Sequence, residues 1–418
     1  MISHKFLMSN GDQMFSLVDQ NYIPYTYPSY YITSELYLDN HSINTMEKHV
    51  YELKFFLEWL DSASIDIVDR VERGMFLTDA EIYQFAGAAK IRSQEQRQDD
   101  SHTQQTIITD KLVSNGVASH RAAQARVKPS TTNGRIILAV NYIEFLSREI
   151  HIGIMPEATV NRLCRTLKLL KAAKLRISNH AANGAKYDGF NSMIPDDVFN
   201  RMLTIIDPLS PDNPFKHSRE RNQLIVEILA STGIRRGALA KLKIPDIVFT
   251  NDANRLYIRR TPEDLTDSRQ NKPQQKTREH STYIAPILVE DIESYISHIR
   301  AIIPNACSHE FVFVSEMNSK GTQGAPLSLK SIDYIFNVLS KALGTAISPH
   351  MLRHKWNEIF TDQTDHLPAA EADKRRVDAM GWSKTSVMPE RYNHFKNLQK
   401  AYEIQKDIQH EILGAGKS

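Results

Sequence analysis

The stretch Ser348-Pro-His-Met-Leu-Arg-His354 combines a predicted helix start with side chains suited to phosphate chemistry. Ser348 is a favourable N-cap residue, and Pro349 fits the first helical position because its missing N–H costs no hydrogen bond there. His350 and Arg353 are three residues apart, so they share one face of the first turns. The unpaired N–H groups and partial positive charge of a helix N-terminus favour a bound anion. The stretch therefore predicts a helix start that handles phosphate.

Two further segments follow in the same region of the chain, Met380-Gly-Trp382 and Arg391-Tyr-Asn-His394. The phenol of Tyr392 offers a nucleophile once it has lost its proton. Because its ordinary pKa is about 10, this step needs a base or strong electrostatic help. No one of these segments identifies a reaction by itself.

Composition limits the class of protein. The chain has 418 residues, 41% apolar and 24% charged, which is typical of a globular protein with about two or three domains. The net charge is only +2, so any nucleic-acid surface must be a local patch. Cys164 and Cys307 predict neither disulfides nor a metal site, which favours a reducing cytoplasm. Residues 1–20 do not resemble a secretory signal, and no apolar run suits a membrane span.

Changes in composition divide the chain. Residues 1–40 are rich in Tyr, Ser and Asn and are predicted to form edge strands or an extended arm, which either packs on the next domain or contacts DNA or a partner. Residues 41–155 have the apolar spacing of a compact helical domain. Residues 156–192 form a predicted basic linker, and residues 193–418 form a second, larger domain.

Cations are concentrated around the predicted linker. Between residues 158 and 187 there are seven Lys or Arg and no acid, and an apolar stripe from Val160 to Leu170 predicts a helix packed on one side. We predict that the basic face contacts the phosphate backbone of DNA, with an ordinary solvated face as the alternative. The candidate DNA contacts here and in the preceding polar region are Arg121, Arg126, Lys128, Arg135, Arg162, Arg165 and Lys168.

The second domain opens with helices and continues into a small predicted sheet. A nearly continuous apolar helix ends at Gly233, a favourable C-terminal cap, and a second helix follows from Arg235. Residues 255–260 and 282–287 are predicted strands. The polar loop between the strands is long, and such a length is uncommon unless the loop is functional or disordered.

Taken in order, these motifs resemble those of the tyrosine recombinases, the phage-integrase family. The shared pattern is Ser231-Thr-Gly-Ile-Arg235, a lysine in a hairpin-like loop, His350-x-x-Arg353, Gly381-Trp382 and Tyr392. The resemblance covers about residues 190–400. It implies a mainly α protein with a small β-sheet. An N-terminal helical core-binding (SAM-like) domain and a mixed α/β catalytic domain would form a clamp around DNA.

The resemblance also implies a role for each matched residue. Arg235 and Arg353 would clamp the non-bridging oxygens of the scissile phosphate, which suits guanidiniums facing the charge that builds in the transition state. Tyr392 would attack phosphorus to form a 3′-phosphotyrosine link, with His350 assisting proton transfer. Lys276 would protonate the leaving 5′-oxygen. Because the link stores the bond energy for rejoining, the resemblance implies no cofactor and no metal.

The chain departs from the family pattern at three points. Trp382 stands where an imidazole is usual, and an indole donates one hydrogen bond but cannot act as acid or base. Its expected role is to bond the phosphate and support the pocket. Ala238 stands where the family has an acid, which implies altered support for the first arginine rather than lost chemistry. The longer loop leaves the general acid open between Lys276 and Lys272, whereas the pKa of Arg278 is too high for that role.

Other interpretations stay open. Tyr402, in a predicted helix, is the competing nucleophile. His350 and His354 have the spacing of a metal pair, but no glutamate follows His350 and no third ligand is apparent. An apolar stripe on the last helix either packs on its own domain or docks on a neighbouring protomer. Its members are Ala401, Ile404, Ile408 and Ile412.

The leading hypothesis is a site-specific DNA recombinase, an integrase or transposase of a mobile element, acting on double-stranded DNA in the bacterial cytoplasm. It would work as a homo-oligomer, a tetramer in the synapse, with accessory recombinases or a directionality factor as further partners. A chromosome-dimer resolvase or a topoisomerase-like relaxase would share the chemistry. From another class, a non-catalytic accessory DNA-binding subunit is the alternative, because of Ala238 and Trp382.

Overall fold

The structure is a computed structural model. It describes residues 1–39, 41–92, 126–153, 155–176, 193–249, 254–261, 264, 266–269, 271–275, 277–319 and 321–415. The chain divides into two compact units, Met1–Ala182 and Asn183–Ser418. Helices dominate both units and the sheets are small, which confirms the predicted mainly α class. Among the described helices, none has the length and apolar content needed to cross a membrane.

The N-terminal unit begins with an antiparallel hairpin and continues as helices. Strand β1 (Ile2–Leu7) pairs with strand β2 (Gln13–Val18) in a register that places Ile2 opposite Val18. The helices that follow are α1 (Thr26–Tyr31), which continues as a π-helical turn (Ile32–Tyr37), α2 (Ile43–Ser62), α3 (Ile67–Glu72), α4 (Asp79–Ala88), α5 (Pro129–Ile150) and α6 (Glu157–Ala172).

The first residues of the chain belong to the core of this unit. Leu17, Tyr31 and Ile32 are buried together with Phe56 of α2 and Tyr142 of α5. Burying each such side chain contributes about 1.5–3 kcal/mol, so the hairpin and α1 are part of what stabilises the unit. Of the predicted alternatives for residues 1–40, the structure shows strands that pack on the following helices and not an extended arm.

The basic run also starts inside the N-terminal unit. Helix α6 buries Leu163, Leu167 and Leu170 in the same core, so its apolar stripe packs as predicted. Its cationic residues lie on the exposed side of the helix. The predicted linker over residues 156–192 thus begins as a packed helix of this unit, and the boundary between the units falls after Ala182.

The C-terminal unit surrounds a short three-stranded antiparallel sheet. The strands are β3 (Ile247–Val248), β4 (Arg255–Ile258) and β5 (His280–Tyr283), with β4 in the centre. The helices are α7 (Asp196–Ile206), α8 (Arg219–Thr232), α9 (Arg236–Lys241), α10 (Pro286–Ser294), α11 (Leu329–Leu343), α12 (Pro349–Gln363), α13 (Ala369–Ala379) and α14 (Met388–Ala415). Tyr295–Ile299 and Arg300–Ile302 extend α10 as π and 3₁₀ turns, and Ile244–Asp246 and Ala306–Ser308 are further 3₁₀ turns.

Helix α8 is central to the core of the C-terminal unit. Its apolar run is buried on most sides, as the near-continuous pattern predicts. Gly233 ends the helix with φ of +62°, and a Cβ there would lie 2.8 Å from the indole of Trp356. A left-handed residue with no room for a side chain must be glycine, which confirms the predicted cap.

The predicted second strand differs from the observed one. We predicted residues 282–287, whereas β5 runs from His280 to Tyr283. Pro286 has no N–H to give to a sheet and occupies the first turn of α10, with Ala285 as N-cap. The proline therefore converts the end of the apolar run from strand to helix. Because β5 begins earlier than predicted, His280 lies on the strand.

Candidate active site

Helix α12 starts as the sequence predicts. The hydroxyl of Ser348 accepts a hydrogen bond from the backbone N–H of Met351 at 3.4 Å, and Pro349 occupies the first turn. His350 lies at the exposed start of the helix, whereas Arg353, one turn later, is buried. The predicted pair therefore spans a path from the surface to the interior along one helix face.

Arg353 is anchored on one side and open on the other. Its Nη1 donates to the carbonyl of Gly233 at 2.7 Å, which ties α12 to the turn between α8 and α9. Its buried Nη2 has no hydrogen bond of normal geometry among the described residues, although the Tyr392 side chain lies close enough to act on the guanidinium. The guanidinium carbon lies 5.6 Å from the centre of the Trp382 ring. One edge of the guanidinium thus holds the fold, and the other remains available to an anion.

Arg235 stands beside Arg353, at the N-cap of α9. Its Nη1 is buried and has no partner within the part of the chain that the structure describes. Burial lowers the pKa of Arg235, opposed by Tyr392. Burial and the like charge of Arg235 lower the pKa of Arg353 to about 9, again opposed by Tyr392, so the group stays protonated at neutral pH. Two neighbouring cations with open donors form a site that a phosphate would complete.

The environment of Arg235 explains why its donor is open. Ala238, one turn into α9, is buried in the apolar core. A methyl group cannot accept a hydrogen bond, so the acid that the family pattern places at this position is replaced by packing. The structure therefore supplies no carboxylate from residue 238 to satisfy the guanidinium.

Trp382 and Tyr392 form the other wall of the site. Their rings are stacked with centroids 5.7 Å apart and planes at 11°, and both side chains are buried. The Nε1 of Trp382 is buried without a hydrogen-bond partner among the described residues. Gly381 makes the turn before it with φ of +61°, and a Cβ there would lie 2.2 Å from Nδ1 of His280. Only glycine fits that position.

Three of the buried donors without a partner among the described residues belong to the predicted site: Nη1 of Arg235, Nη2 of Arg353 and Nε1 of Trp382. Each such group lowers the stability of the fold by about 1–3 kcal/mol when it lacks a partner. A bound anion would accept hydrogen bonds from these donors and so recover that free energy. The donors surround the phenol of Tyr392, whose charge acts on both arginines. This arrangement can bind a phosphate and present a hydroxyl to it.

The two histidines of α12 connect the surface to Tyr392. The rings of His350 and His354 lie 4.4 Å apart, and His354 lies 5.5 Å from the ring of Tyr392. The sequence relates His354 only to His350, as a possible metal pair. Its contact with Tyr392 depends on how α12 and α14 pack together, so the sequence does not reveal it. Among the described residues, no group of three or more His, Cys, Asp or Glu is arranged to hold a metal.

The choice between lysines is not tested, because Lys276 lies outside the described residues. Lys272 donates from Nζ to the carbonyl of Asp264 at 3.2 Å. Arg278 donates from its backbone N–H to Gly381 at 2.9 Å and forms an ion pair with Asp378. The loop after residue 276 is therefore tied to the turn that carries Trp382.

His280 is a residue of this site that the sequence did not single out. Its Nδ1 lies 3.0 Å from the carbonyl of Arg278, and its ring packs against Gly381. Burial lowers the pKa of His280, and the charges of Arg353, Arg278 and Arg235 add to that effect. Its position in a predicted loop concealed it, since the strand that carries it starts earlier than the apolar pattern indicates.

The competing nucleophile has a different environment. Tyr392 and Tyr402 both lie in α14, so helical structure does not separate them. Tyr392 is 5% exposed and faces the arginines, whereas Tyr402 is 55% exposed. Burial beside the open donors favours Tyr392.

The seven predicted DNA contacts fall into three groups: exposed, buried, and outside the described residues. Five are exposed on the N-terminal unit: Arg126, Lys128, Arg162, Arg165 and Lys168. Among these, Arg165 pairs with Asp79 at 2.6 Å, and Arg162 donates to the carbonyl of Gly74 at 3.2 Å. Arg121 lies outside the described residues.

Arg135 needs a correction. Its side chain is 4% exposed, its Nη1 donates to the carbonyls of Ala89 and Ile91 at 3.1 and 2.7 Å, and its guanidinium carbon lies 3.7 Å from the ring centre of Phe55. A side chain enclosed in this way cannot reach a DNA backbone. The sequence pattern of Arg135 resembled that of its exposed neighbours, and only the packing of α5 distinguishes it.

The apolar stripe on α14 is exposed. Ile404, Ile408 and Ile412 are 59%, 48% and 66% exposed, so the stripe does not pack on its own unit. A row of isoleucines in water is unusual on an isolated helix face and is typical of an interaction surface.

Comparisons with known proteins identify a family for most of the C-terminal unit. Residues 193–398 match the model of the Phage integrase family. The tyrosine recombinase XerC of Staphylococcus aureus (strain bovine RF122 / ET3-1) is 24% identical over 186 residues, which is 44% of this chain and 52% of that protein. The chain thus spans about half the length of the curated relatives that it matches. Residues 193–398 therefore form a phage-integrase family domain, as in the tyrosine recombinases.

Solved structures of the same kind cover most of the chain at low identity. The site-specific recombinase XerH, bound to a palindromic difH substrate in a post-cleavage complex, is 15% identical, with 90% of this chain and 93% of that chain covered and a TM-score of 0.47. A lambda integrase dimer bound to a COC′ core site is 15% identical, with 93% of each chain covered and a TM-score of 0.32.

Proposed function

We propose that this protein is a site-specific DNA recombinase, an integrase or transposase of a mobile element. It would cleave and rejoin double-stranded DNA through a 3′-phosphotyrosine intermediate. The observation that carries the proposal is the group of buried donors without partners, on Arg235, Arg353 and Trp382, around the buried phenol of Tyr392. The phage-integrase family domain over residues 193–398 supports it.

The proposed chemistry divides between charge stabilisation and proton transfer. Arg235, Arg353 and Trp382 would donate hydrogen bonds to the phosphate oxygens as negative charge builds on them. The Tyr392 oxygen would form a bond to phosphorus while the bond from phosphorus to the 5′-oxygen breaks. His350 would assist removal of the phenol proton, and Lys276 would supply a proton to the leaving 5′-oxygen. Rejoining would run these steps in reverse with another 5′-hydroxyl, so the exchange needs no net input of energy.

The N-terminal unit would hold the DNA backbone. The exposed cations of α6, Arg162, Arg165 and Lys168, lie on the face opposite its buried leucines. Arg126 and Lys128 add charge just before α5. Contacts of this kind give affinity and orientation without reading base sequence, and they weaken as salt is added.

The exposed stripe of α14 would dock on a neighbouring copy when the protein assembles on DNA. Burying three isoleucines would contribute several kcal/mol to association, by about 1.5–3 kcal/mol for each side chain. This supports a homo-oligomer, a tetramer in the synapse. A chain ending near Asn397 is expected to bind a single site but to lose the higher oligomer in size measurements on DNA. Tetramers of unchanged abundance after the truncation would contradict the docking role.

The central test is formation of a covalent protein–DNA complex. DNA bound in cells that express the protein is mapped, and the enriched sequence is built into a nicked duplex whose cleaved fragment diffuses away. The wild type and Tyr402→Phe are expected to give a covalent band on a denaturing gel, and Tyr392→Phe none. A band that persists in Tyr392→Phe would refute the nucleophile. No band from the wild type on the enriched site would favour the accessory, non-catalytic role.

A further inference from the structure

A buried guanidinium with no role in the proposed chemistry lies next to Tyr392. Arg376, on α13, is 1% exposed and is among the largest fully buried side chains of the described chain. Its Nη2 donates to the hydroxyl of Thr361 on α12 at 2.8 Å, and its Nη1 donates to the side-chain oxygen of Asn393 on α14 at 3.3 Å. One side chain therefore joins three helices, and one of its bonds is made to the residue that follows Tyr392.

The side chain of Asn393 is fixed at both ends. While its oxygen accepts from Arg376, its nitrogen lies 3.1 Å from each carboxylate oxygen of Asp373. Asp373 and Arg376 both belong to α13, so the amide is held between an anion and a cation of the same helix. Charged partners at both ends make these bonds stronger than neutral ones. The network sets the position of the helix turn that carries Tyr392.

Arg376 also acts on the phenol itself. Its guanidinium carbon lies 5.9 Å from the centre of the Tyr392 ring. Burial lowers the pKa of Arg376, while Asp373 and Tyr392 oppose that effect. An interaction between two charges is reciprocal, so the cation that Tyr392 stabilises also favours the phenolate.

Other charged and titratable groups face the phenol as well. Arg235 and Arg353 show the same coupling to Tyr392, and the ring of His354 lies 5.5 Å away, in contact with His350. Asp373 is the nearest acid of the network and opposes the effect of Arg376. Arg376 differs from these two arginines in that its Nη1 and Nη2 both donate to side chains of neighbouring helices, although its buried Nε, like one nitrogen of Arg235 and one of Arg353, has no partner among the described residues.

We propose that Arg376 is a positioning residue for Tyr392, which orients the nucleophile through Asn393 and stabilises its phenolate. This role adds to the proposed function, and the effect of Arg376 on catalysis rests on that function. Arg376 transfers no proton: the phenol proton leaves to a base, the Tyr392 oxygen bonds to phosphorus, and the bond to the 5′-oxygen breaks. The guanidinium remains charged throughout, so its contribution is present before DNA binds.

The first experiment measures the phenol without DNA. Fluorotyrosine is placed at position 392 alone in the full-length chain, and its titration is followed by fluorine NMR. We expect Arg376→Met to raise the titration midpoint by about one pH unit, because a unit charge at this distance is lost. Arg376→Lys should shift it less. The matched control is Arg375→Met on the exposed side of α13, where the guanidinium pairs with Glu371. A midpoint that Arg376→Met leaves unchanged would overturn the proposal.

The second experiment measures cleavage on the mapped site as a function of pH, in single turnover. Arg376→Met is expected to form the covalent complex about 10–100-fold more slowly at neutral pH, within the range for a lost positioning contact. The part of its pH profile in which the rate rises with pH should move to higher pH. The pH profile of Arg375→Met should match that of the wild type. An equal rate and an unmoved profile in Arg376→Met would refute the role.

Removal of Arg376 could instead unfold the helix bundle, so a second variant separates structure from function. Asn393→Ala cuts the link to α14 but leaves the cation in place. It should keep the thermal midpoint within a few degrees and the pH profile of the wild type, with a covalent rate about 10-fold lower. A wild-type rate in Asn393→Ala would overturn the orienting role. Because the NMR titration needs no DNA, failure of the wild type to cleave would sink the proposed function, while an unmoved titration would sink this inference.

Discussion

Two arginines, one in each unit, show how differently buried charge is used. Arg135 in the N-terminal unit donates to two backbone carbonyls and stacks on Phe55. Arg235 in the C-terminal unit has a buried nitrogen without a partner among the described residues. Burial lowers the pKa of both. The guanidinium of Arg135 stabilises the fold through its hydrogen bonds. The guanidinium of Arg235 lowers the stability of the fold, because one of its buried donors makes no hydrogen bond. Burial alone therefore does not distinguish these two arginines, whereas the open donor on Arg235 does.

The largest expected effect is on Arg235. Arg235→Met should lower the rate of covalent complex formation about a thousandfold, since a donor aimed at developing charge is lost. The thermal midpoint should stay equal or rise, because the substitution removes a buried group with no partner. Single-turnover cleavage and thermal unfolding of one preparation test both halves. A large fall in stability would place Arg235 with Arg135 and break the comparison.

Trp382→Phe should give the next largest effect. The substitution keeps an aromatic ring to stack on Tyr392 but removes the Nε1 donor, so we expect cleavage to fall about 10–100-fold with little change in stability. Trp382→His is the matched variant, because an imidazole restores a donor in a smaller ring. Recovery of activity in Trp382→His but not in Trp382→Phe would show that the donor matters more than the packing.

Arg135→Met should have the opposite outcome from Arg235→Met. Two carbonyls, of Ala89 and Ile91, would lose a charged donor, and we expect the free energy of unfolding to fall by about 3 kcal/mol. The cleavage rate per folded molecule should stay within about twofold, which active-site titration with the suicide DNA would check. A selective loss of DNA binding at unchanged stability would reinstate the contact predicted from sequence.

The smallest effect is expected for an exposed cation. Lys168→Gln should weaken DNA binding a few-fold at moderate salt and reduce the slope of log affinity against log salt by about 0.9. Glu157→Gln, at the other end of the same helix, is the control, because removing an acid cannot weaken a phosphate contact. An unchanged slope would show that this part of α6 does not touch the DNA backbone.

Local signals in the sequence predicted much of the C-terminal unit. Ser348, Pro349 and Gly233 mark helix ends through chemistry that acts within a few residues, and the structure confirms each one. The family motifs also identified side chains that the structure brings together, Arg235, Arg353, Trp382 and Tyr392. Their catalytic roles stay predictions until cleavage is measured.

Other features depend on which helix or strand, distant in the sequence, a side chain packs against. The composition of residues 1–40 suggested edge strands or an arm but not that Leu17 would share a core with Phe56. Arg135 and Arg376 look like any surface cation in the sequence, because their partners lie on other helices. Helical periodicity gives the direction of a side chain about its own axis, while the identity of its neighbours is set by packing between elements. These are the points at which the prediction failed or was silent.

Gly381 has a consequence for anyone who wishes to redesign this site. Its φ of +61° disfavours any other amino acid, and a Cβ there would lie 2.2 Å from His280, so that ring would have to move. A library built to change the behaviour of the site can vary positions 382 and 280 together, but residue 381 must be left out of the randomised codons. Keeping glycine there preserves the left-handed turn before residue 382 in every variant.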